Sequence, residues 1–391
     1  MYQGLIGDWP KRVYFGQGSV ARLPELLDTL GRRRALVVCG RTVASGPMLA
    51  SVRAALGDRL AGVYDTVSAH TPFGEVREAS EALDAAGADA VISVGGGSAI
   101  DAGKGVALLR ATGGVFEDYT IDFGGKGSLE RAAMPDPGIA HIAVPTTAGS
   151  ASDVMPTAGI RDPNLPRKLL FWDDRMTPDA TVLDPEMAVH AGPELSAATG
   201  MTAMARCIES LYSADRQPIT TGLALHGARL LRRSLPRAVQ SPGDLDARAD
   251  CQLACVMSGV AGINSMVCLV HAIGHVVGGR YGLQHGISHS ILLAPAMRRL
   301  LPAIGEDQRY VLAAMSDTPE ALDRDAAGAR AADLVQEMFE TLPLPRRLSD
   351  VGVKADEIAG IAEATMGDYM MAYLPRPVAR DEVEDLLREA L

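Results

Sequence analysis

Short unbroken apolar runs alternate with longer amphipathic stretches through the first half of the sequence. The runs predict buried strands at residues 34–39, 62–64, 88–94, 139–144 and 181–183. The stretches 20–30 and 73–86 have apolar positions at helical spacing. Strands and helices that alternate in this way are typical of a mostly parallel sheet with helices on both faces, so an α/β domain is predicted here.

The pattern changes after Asp184 and Pro185, where helical periodicity replaces the apolar runs. Helices are predicted at residues 195–214, 218–235, 245–261, 266–278, 288–301, 326–342, 355–366 and 381–390. We therefore divide the chain into an α/β domain at 1–188 and an all-helical domain at 189–391. A ligand is expected in the cleft between them, because two-domain enzymes commonly bind their ligands there.

Composition and charge narrow the classes of function. A net charge of −11 argues against a nucleic-acid surface, which needs a basic face. The five cysteines have no regular spacing, no apolar run has membrane-spanning length, and the first residues lack a signal pattern. We expect a cytoplasmic protein that binds neither nucleic acid nor membrane and that acts on a small molecule.

A run of three glycines follows the predicted strand 88–94 and opens a helix. Without side chains at the turn, backbone N–H groups can approach a pyrophosphate, and the helix N-terminus adds a partial positive charge. A plain strand-to-helix turn would need only one glycine. The cofactor-binding residues predicted here are Gly95, Gly96, Gly97, Ser98 and Asp101.

A second loop, rich in hydroxyl groups and small residues, follows the strand 139–144. Its side chains can line a nucleotide pocket with hydrogen-bond donors, or they can simply cap a helix. Paired with the glycine loop, it favours the nucleotide. The residues predicted to contact the cofactor are Thr146, Thr147, Ser150 and Ser152.

The end of the first predicted strand bears on the choice of cofactor. Gly40 and Arg41 stand where folds that prefer NAD often place an acid for the ribose hydroxyl. A carboxylate would repel a 2′-phosphate, whereas a glycine beside an arginine would accept one. Although an ordinary turn with a solvated arginine would look the same, we expect NADP(H) to be favoured over NAD(H).

Together these motifs resemble the iron-containing (group III) alcohol dehydrogenases. The resemblance covers the two loops, an early Phe-Gly-Gln-Gly, a Leu-Asp-Pro at 183–185 and a histidine-rich segment at 271–286, in the right order and spacing. It implies a dinucleotide-binding α/β domain, a helical domain, a homodimer and reversible hydride transfer to a carbonyl. It adds Leu183 and Lys168 to the predicted cofactor site, although Lys168 could equally be a surface lysine.

In that family an Asp and three His hold an iron or zinc ion, and two of these ligands are replaced here. The family's helix segment Gly-Met-Asp-Ala-x-x-His has Thr202 at the Asp position and Arg206 at the His position. The other two ligand positions match His271 and His285, and His275 matches a histidine that faces the substrate. If any residues hold a metal ion, they are His271 and His285.

We therefore predict a site without a catalytic metal. Arg206 and Thr202 lie four residues apart and face the same side of a helix, so a fixed cation could stabilise an oxyanion in place of the ion. The histidines would supply hydrogen bonds and protons. The alternative for Arg206 is an inward salt bridge to Glu209 or Asp215. For the histidines the alternative is a structural role, and His289 is expected at the helix surface.

The predicted function is reduction of an aldehyde or ketone by NAD(P)H, and the substrate could bear a carboxylate that pairs with Arg206. The maleylacetate reductases also lack the helix Asp and resemble this chain at 210–215 and 271–279. However, they have a different glycine loop and keep the His that is Arg206 here. Three alternatives stay open: a metal-dependent dehydrogenase with fewer His ligands, a dinucleotide-binding protein without activity, and a lyase like the dehydroquinate synthases.

Overall fold

The computed structural model describes residues 7–121, 132–162, 168–317 and 322–391. These residues form two compact units, and the change from one to the other falls between His190 and Ala191. The predicted boundary was placed two residues earlier, after residue 188. Each unit is described by itself below.

The first unit is built on parallel strands. Its strands are β1 (Val13–Phe15), β2 (Ala35–Cys39), β3 (Leu60–Tyr64), β4 (Ala90–Gly95), β5 (Ala140–Pro145), β6 (Thr157–Arg161), β7 (Lys168–Trp172) and β8 (Ala180–Leu183). Its helices are α1 (Leu23–Thr29), α2 (Arg41–Ala44), α3 (Pro47–Leu56), α4 (Phe73–Ala86), α5 (Gly97–Thr112) and α6 (Pro185–Ala188). Within the described residues, six strands form one sheet in the order β1-β8-β5-β4-β2-β3, and every neighbouring pair is parallel.

The central strands are buried on both faces, which explains their unbroken apolar runs. Along β2, Val37 belongs to one hydrophobic cluster, whereas Leu36 and Val38 belong to another. Successive side chains of a strand point to opposite faces, so the two clusters are the cores on either side of the sheet. The predicted α/β domain with its mostly parallel sheet is confirmed.

The order of the strands in the sheet predicts where a ligand crevice lies. From β2 the sheet grows to one side through β3 and to the other through β4, β5 and β8. In open parallel sheets, ligands bind at the carboxyl ends of the strands where this reversal occurs. Here those ends belong to β2 and β4, which pair as far as Cys39 and Val94.

The sequence pattern did not predict β1 or the antiparallel pair β6–β7. β1 has only three residues, too few to define a period. In β6, buried positions alternate with partly exposed ones over five residues, which is too short for the pattern to be distinguished from a loop.

The second unit is helical throughout its described part, as predicted. Its helices are α7 (Pro193–Tyr212), α8 (Pro218–Gln240), α9 (Leu245–Ser265), α10 (Leu269–Tyr281), α11 (His285–Ile304), α12 (Gln308–Met315), α13 (Arg324–Glu340), α14 (Ile358–Met366) and α15 (Arg380–Glu389). Helix α7 is the central element, because α8, α9, α10 and α11 all pack against it and most of its residues are buried. Helix α11 begins at His285, three residues before the predicted start.

No single helix in the described residues is long and apolar enough to cross a membrane. The consecutive helices α9 and α10 would reach that length and hydropathy only as a pair, and they meet at a bend of 105°.

Candidate active site

The glycine loop lies at the predicted crevice of the α/β unit. Gly95 ends β4 with a φ of 152°, a backbone conformation that side chains rarely allow. Gly96 precedes α5 without a side-chain cap, so the first N–H groups of this helix are left for a ligand or solvent. A Cβ on Gly97 would lie 2.9 Å from the Ser150 side chain. Binding of a pyrophosphate by these residues stays a prediction.

The second loop lies directly against the first. The N–H of Thr146 donates to the carbonyl oxygen of Gly95 at 3.0 Å. A Cβ built on Gly96 would lie 3.4 Å from Oγ1 of Thr147. The structure thus brings together Gly95, Gly96 and Gly97 with Thr146, Thr147 and the exposed Ser150.

Three other predicted cofactor residues are engaged within the protein. The carboxylate of Asp101 accepts hydrogen bonds from the hydroxyl of Ser152 and, at 3.1 Å, from the N–H of Gly159. The hydroxyl oxygen of Ser98 accepts the N–H of His70 at 3.1 Å. These side chains hold the loops of the crevice together, and a direct contact of theirs with a cofactor stays a prediction.

Gly40 has a packing reason to be glycine, apart from any cofactor. A Cβ at this position would lie 2.7 Å from the carbonyl oxygen of Val67. The neighbouring Arg41 is exposed at the start of α2. Both follow β2, on one side of the predicted crevice.

The remaining two predicted cofactor residues differ in how far the structure describes them. Leu183 ends β8, where its side chain is 2% exposed and its carbonyl oxygen accepts the N–H of Gly16 at 3.0 Å. Contact of Leu183 with a cofactor stays a prediction. The side chain of Lys168 lies outside the described residues.

In the helical unit, Thr202 and Arg206 face the same side of α7. Arg206 is 8% exposed, and its Nη1 donates to the hydroxyl of Ser258 on α9 at 3.0 Å. The aliphatic part of the Arg206 side chain passes Gly262, and a Cβ built on Gly262 would lie 2.5 Å from Cδ of Arg206. The hydroxyl of Thr202 donates back to the carbonyl oxygen of Ala198 at 3.2 Å.

Four histidines form a cluster at the facing sides of α10 and α11. The ring centroids of His271 and His289 are 4.2 Å apart, those of His285 and His289 5.8 Å, and those of His275 and His285 5.6 Å. The predicted site histidines His271, His275 and His285 are thus brought together. The expectation that His289 lies at the surface was wrong: its side chain is fully buried, because it packs against Gly274 of α10.

Two acidic side chains hold two of these rings. Oε2 of the buried Glu209 lies 2.6 Å from Nδ1 of His271. Oδ2 of Asp368 lies 2.8 Å from Nδ1 of His275, and the side chain of His275 is 29% exposed. The sequence indicated Glu209 only as a partner for Arg206, and no local pattern pointed to Asp368, which is 93 residues away from His275.

Burial and positive charge keep the inner histidines neutral. Burial lowers the pKa of His271, and its hydrogen bond to Glu209 opposes this only in part. Burial lowers the pKa of His289 well below its usual value, and the neighbouring histidines and Arg206 lower it further. A neutral imidazole ring can both donate and accept a hydrogen bond, whereas a guanidinium only donates. Together these groups can bind an oxygen atom of a ligand.

This donor set does not fit the metal ion that the family resemblance implies. A threonine and a cationic arginine stand at two of the four ligand positions. Among the residues that the structure describes, no group of three or more His, Cys, Asp or Glu side chains is arranged to hold a metal ion. A guanidinium would repel a dication at this place.

Comparison with known proteins covers the whole chain. The family model for iron-containing alcohol dehydrogenase matches residues 10–185, and the model for the C-terminal part of the Fe-containing alcohol dehydrogenase family matches residues 196–391. The chain is 34% identical to maleylacetate reductase 2 of Cupriavidus pinatubonensis, over 98% of this chain and 95% of that protein. It is 29% identical to the NAD-dependent methanol dehydrogenase of Bacillus methanolicus, over 98% of both.

A solved structure of 1,3-propanediol oxidoreductase superimposes with a TM-score of 0.90 at 26% identity, and the match covers 100% of both chains. Fold, loops and sequence agree, so this chain belongs to the iron-containing alcohol dehydrogenase family and is an oxidoreductase that acts on alcohols or aldehydes.

Proposed function

We propose that this protein reduces an aldehyde or ketone with a nicotinamide cofactor, NADPH in preference to NADH, and that it does so without a catalytic metal ion. The observation that carries the proposal is the buried guanidinium of Arg206 at a ligand position of the family. The reaction adds a hydride to the carbonyl carbon and a proton to its oxygen. A nicotinamide supplies the hydride when it is bound.

The helical unit would supply the charge and the proton. Arg206 is a fixed cation held by Ser258, so it can stabilise the negative charge that develops on the carbonyl oxygen. His275 is part-exposed and hydrogen-bonded to Asp368, which suits it to exchange a proton with solvent. The α/β unit would hold the cofactor phosphates at Gly95, Gly96 and Gly97.

Chelation tests the metal-free part. Purified enzyme is expected to oxidise NADPH in the presence of a suitable carbonyl compound, and a strong chelator should leave the rate unchanged. The variant Thr202→Asp/Arg206→His restores the ligand pattern of the family and serves as the comparison. We expect elemental analysis to find iron or zinc in the double variant only. A wild-type rate that is lost on chelation and restored by ferrous or zinc ions would overturn the proposal.

A pair of substrates separates two roles of Arg206. One relative is a maleylacetate reductase, whose named substrate is a carboxylate. If Arg206 stabilises the oxyanion, Arg206→Met should lower kcat about 100-fold or more for an oxo acid and for an uncharged aldehyde alike. If Arg206 pairs with a carboxylate instead, the loss should be confined to KM of the oxo acid.

The cofactor preference has its own test. Arg41 is exposed beside Gly40, and the chain segment that directly follows β2 has no acidic residue that could bind a ribose hydroxyl. Arg41→Ala is expected to raise KM for NADPH about tenfold, because one charged contact to the 2′-phosphate is lost. KM for NADH, which has no such phosphate, should be unchanged. Arg33→Ala, at another exposed arginine of this unit, is the control. A wild-type enzyme that prefers NADH would contradict the assignment.

A further inference from the structure

Glu209 occupies an unusual position for an acid, in the buried part of α7. Its side chain is 0% exposed, and both carboxylate oxygens point at the start of α10. Oε1 accepts the N–H of Val270 at 2.8 Å, and Oε2 accepts the N–H of Cys268 at 3.1 Å and of His271 at 3.3 Å. Cys268 precedes α10 and provides no side-chain cap, so Glu209 caps this helix from another helix.

The cap determines which nitrogen of His271 carries the hydrogen. Backbone N–H groups can only donate, so both oxygens of Glu209 act as acceptors. Nδ1 of His271 lies 2.6 Å from Oε2, and it must therefore be the donor. A neutral imidazole with its hydrogen on Nδ1 has a lone pair on Nε2.

That lone pair lies inside the histidine cluster. Nε2 of His271 is buried, and it has no hydrogen-bond partner in the described part of the chain. A buried acceptor without a partner is costly, so its complement is a ligand that donates a hydrogen bond. The hydroxyl group of an alcohol can donate, whereas the oxygen of an aldehyde or ketone can only accept.

We infer that Glu209 is a positioning residue, which holds His271 with its hydrogen on Nδ1 so that Nε2 accepts a hydrogen bond from the hydroxyl of the alcohol. The position of the hydrogen depends on the contacts of the helical unit alone. The recognition of the alcohol rests on the proposed function. The two parts are therefore tested separately.

Nitrogen NMR of the full-length protein labelled with ¹⁵N-histidine tests the first part without any ligand. The signals of His271 are assigned by their loss in His271→Gln. In the wild type we expect a protonated Nδ1 and a lone pair on Nε2, and the opposite arrangement would overturn the inference. Glu209→Asp keeps a carboxylate and should keep the arrangement, whereas Glu209→Gln should lose it. Glu337→Gln, at an exposed glutamate of α13, should change nothing.

If Glu209→Gln does not fold, the wild type and Glu209→Asp still decide the point. The second part uses trifluoroethanol as a hydroxyl probe at saturating NADP⁺. We expect the probe to shift the Nε2 signal of His271, and an unchanged signal would overturn the role in alcohol recognition. In turnover, Glu209→Gln is expected to lower kcat/KM for alcohol oxidation about 100-fold, because His271 would no longer be held as a hydrogen-bond acceptor for the hydroxyl.

A failure of the proposed function has a different signature. In that case no carbonyl compound would be reduced by the wild type with either cofactor, while the NMR arrangement of His271 would still be as expected.

Discussion

At the scale of single residues, Arg206 depends on a glycine that belongs to none of the sequence motifs. Gly262 of α9 faces the side-chain stem of Arg206, and a Cβ there would lie 2.5 Å from Cδ and 2.6 Å from Cγ. Real Cβ atoms do not approach that closely. The close approach of a glycine backbone therefore lets a long cationic side chain extend to Ser258 within the packed helices.

Gly262→Ala tests this dependence. The new methyl group should displace the guanidinium and lower kcat about 100-fold, similar to the loss of an oxyanion donor. The control is Gly222→Ala on α8, an exposed position where a Cβ would meet nothing within 4 Å. That substitution should leave kcat unchanged and stabilise the protein by about 0.5–1 kcal/mol. Full activity of the Gly262→Ala enzyme would show that Arg206 is not needed at this place.

At the scale of elements, helix α5 organises the predicted cofactor crevice along its first two turns. Its N-terminus carries the glycine loop, and Asp101 one turn later holds the second loop through Ser152. Lys104 is fully buried, and its Nζ donates to the carbonyl oxygens of Met155 at 2.8 Å and Thr157 at 2.7 Å. Burial lowers the pKa of Lys104 to about 8, against the influence of Asp101 and Asp153.

Lys104→Met removes one of these attachments and keeps the length of the side chain. Two carbonyl groups would lose their donor, so we expect the α/β unit to lose about 2–4 kcal/mol of its free energy of unfolding. The second loop should also move, and NADPH should bind about tenfold more weakly. Arg110→Met, at an exposed position of the same helix, is the matched control. Unchanged NADPH affinity in a folded Lys104→Met protein would contradict this role.

At the scale of the whole molecule, buried neutral histidines occur in both units. Burial lowers the pKa of His141 in the sheet to about 3, and His271 and His289 in the helical unit are lowered by the same cause. In the unfolded chain each would titrate near its usual value of about 6.5. Below that pH the unfolded state binds more protons than the folded state, so the stability of the protein falls as the solution is acidified.

His141 allows this pH dependence to be measured away from the active site. With a folded-state pKa of about 3, it should account for about 2 kcal/mol of the stability lost between about pH 7 and pH 5. In His141→Gln the free energy of unfolding should therefore decline less steeply over this range, although its value at neutral pH will be lower. His226→Gln, at an exposed position of α8, should retain the wild-type slope. A slope for His141→Gln equal to that of the wild type would contradict the assignment.

Local pattern in the sequence determined the parallel sheet, the helical second half, the glycine loop at the end of β4 and the loss of two metal-ligand positions at Thr202 and Arg206. These features are encoded in the period of apolar residues or in short motifs, so they can be read without knowing which segments pack together.

Tertiary structure alone decided the partners of the functional side chains. Glu209 lies 62 residues before His271, Asp368 lies 93 residues after His275, and His289 is turned inward although its helix has apolar residues on more than one side. Likewise, Asp101 and Ser152, two of the predicted cofactor residues, are hydrogen-bonded to each other, a contact that the sequence did not indicate. Such pairings depend on how helices and loops far apart in the chain are packed, and no local pattern records that arrangement.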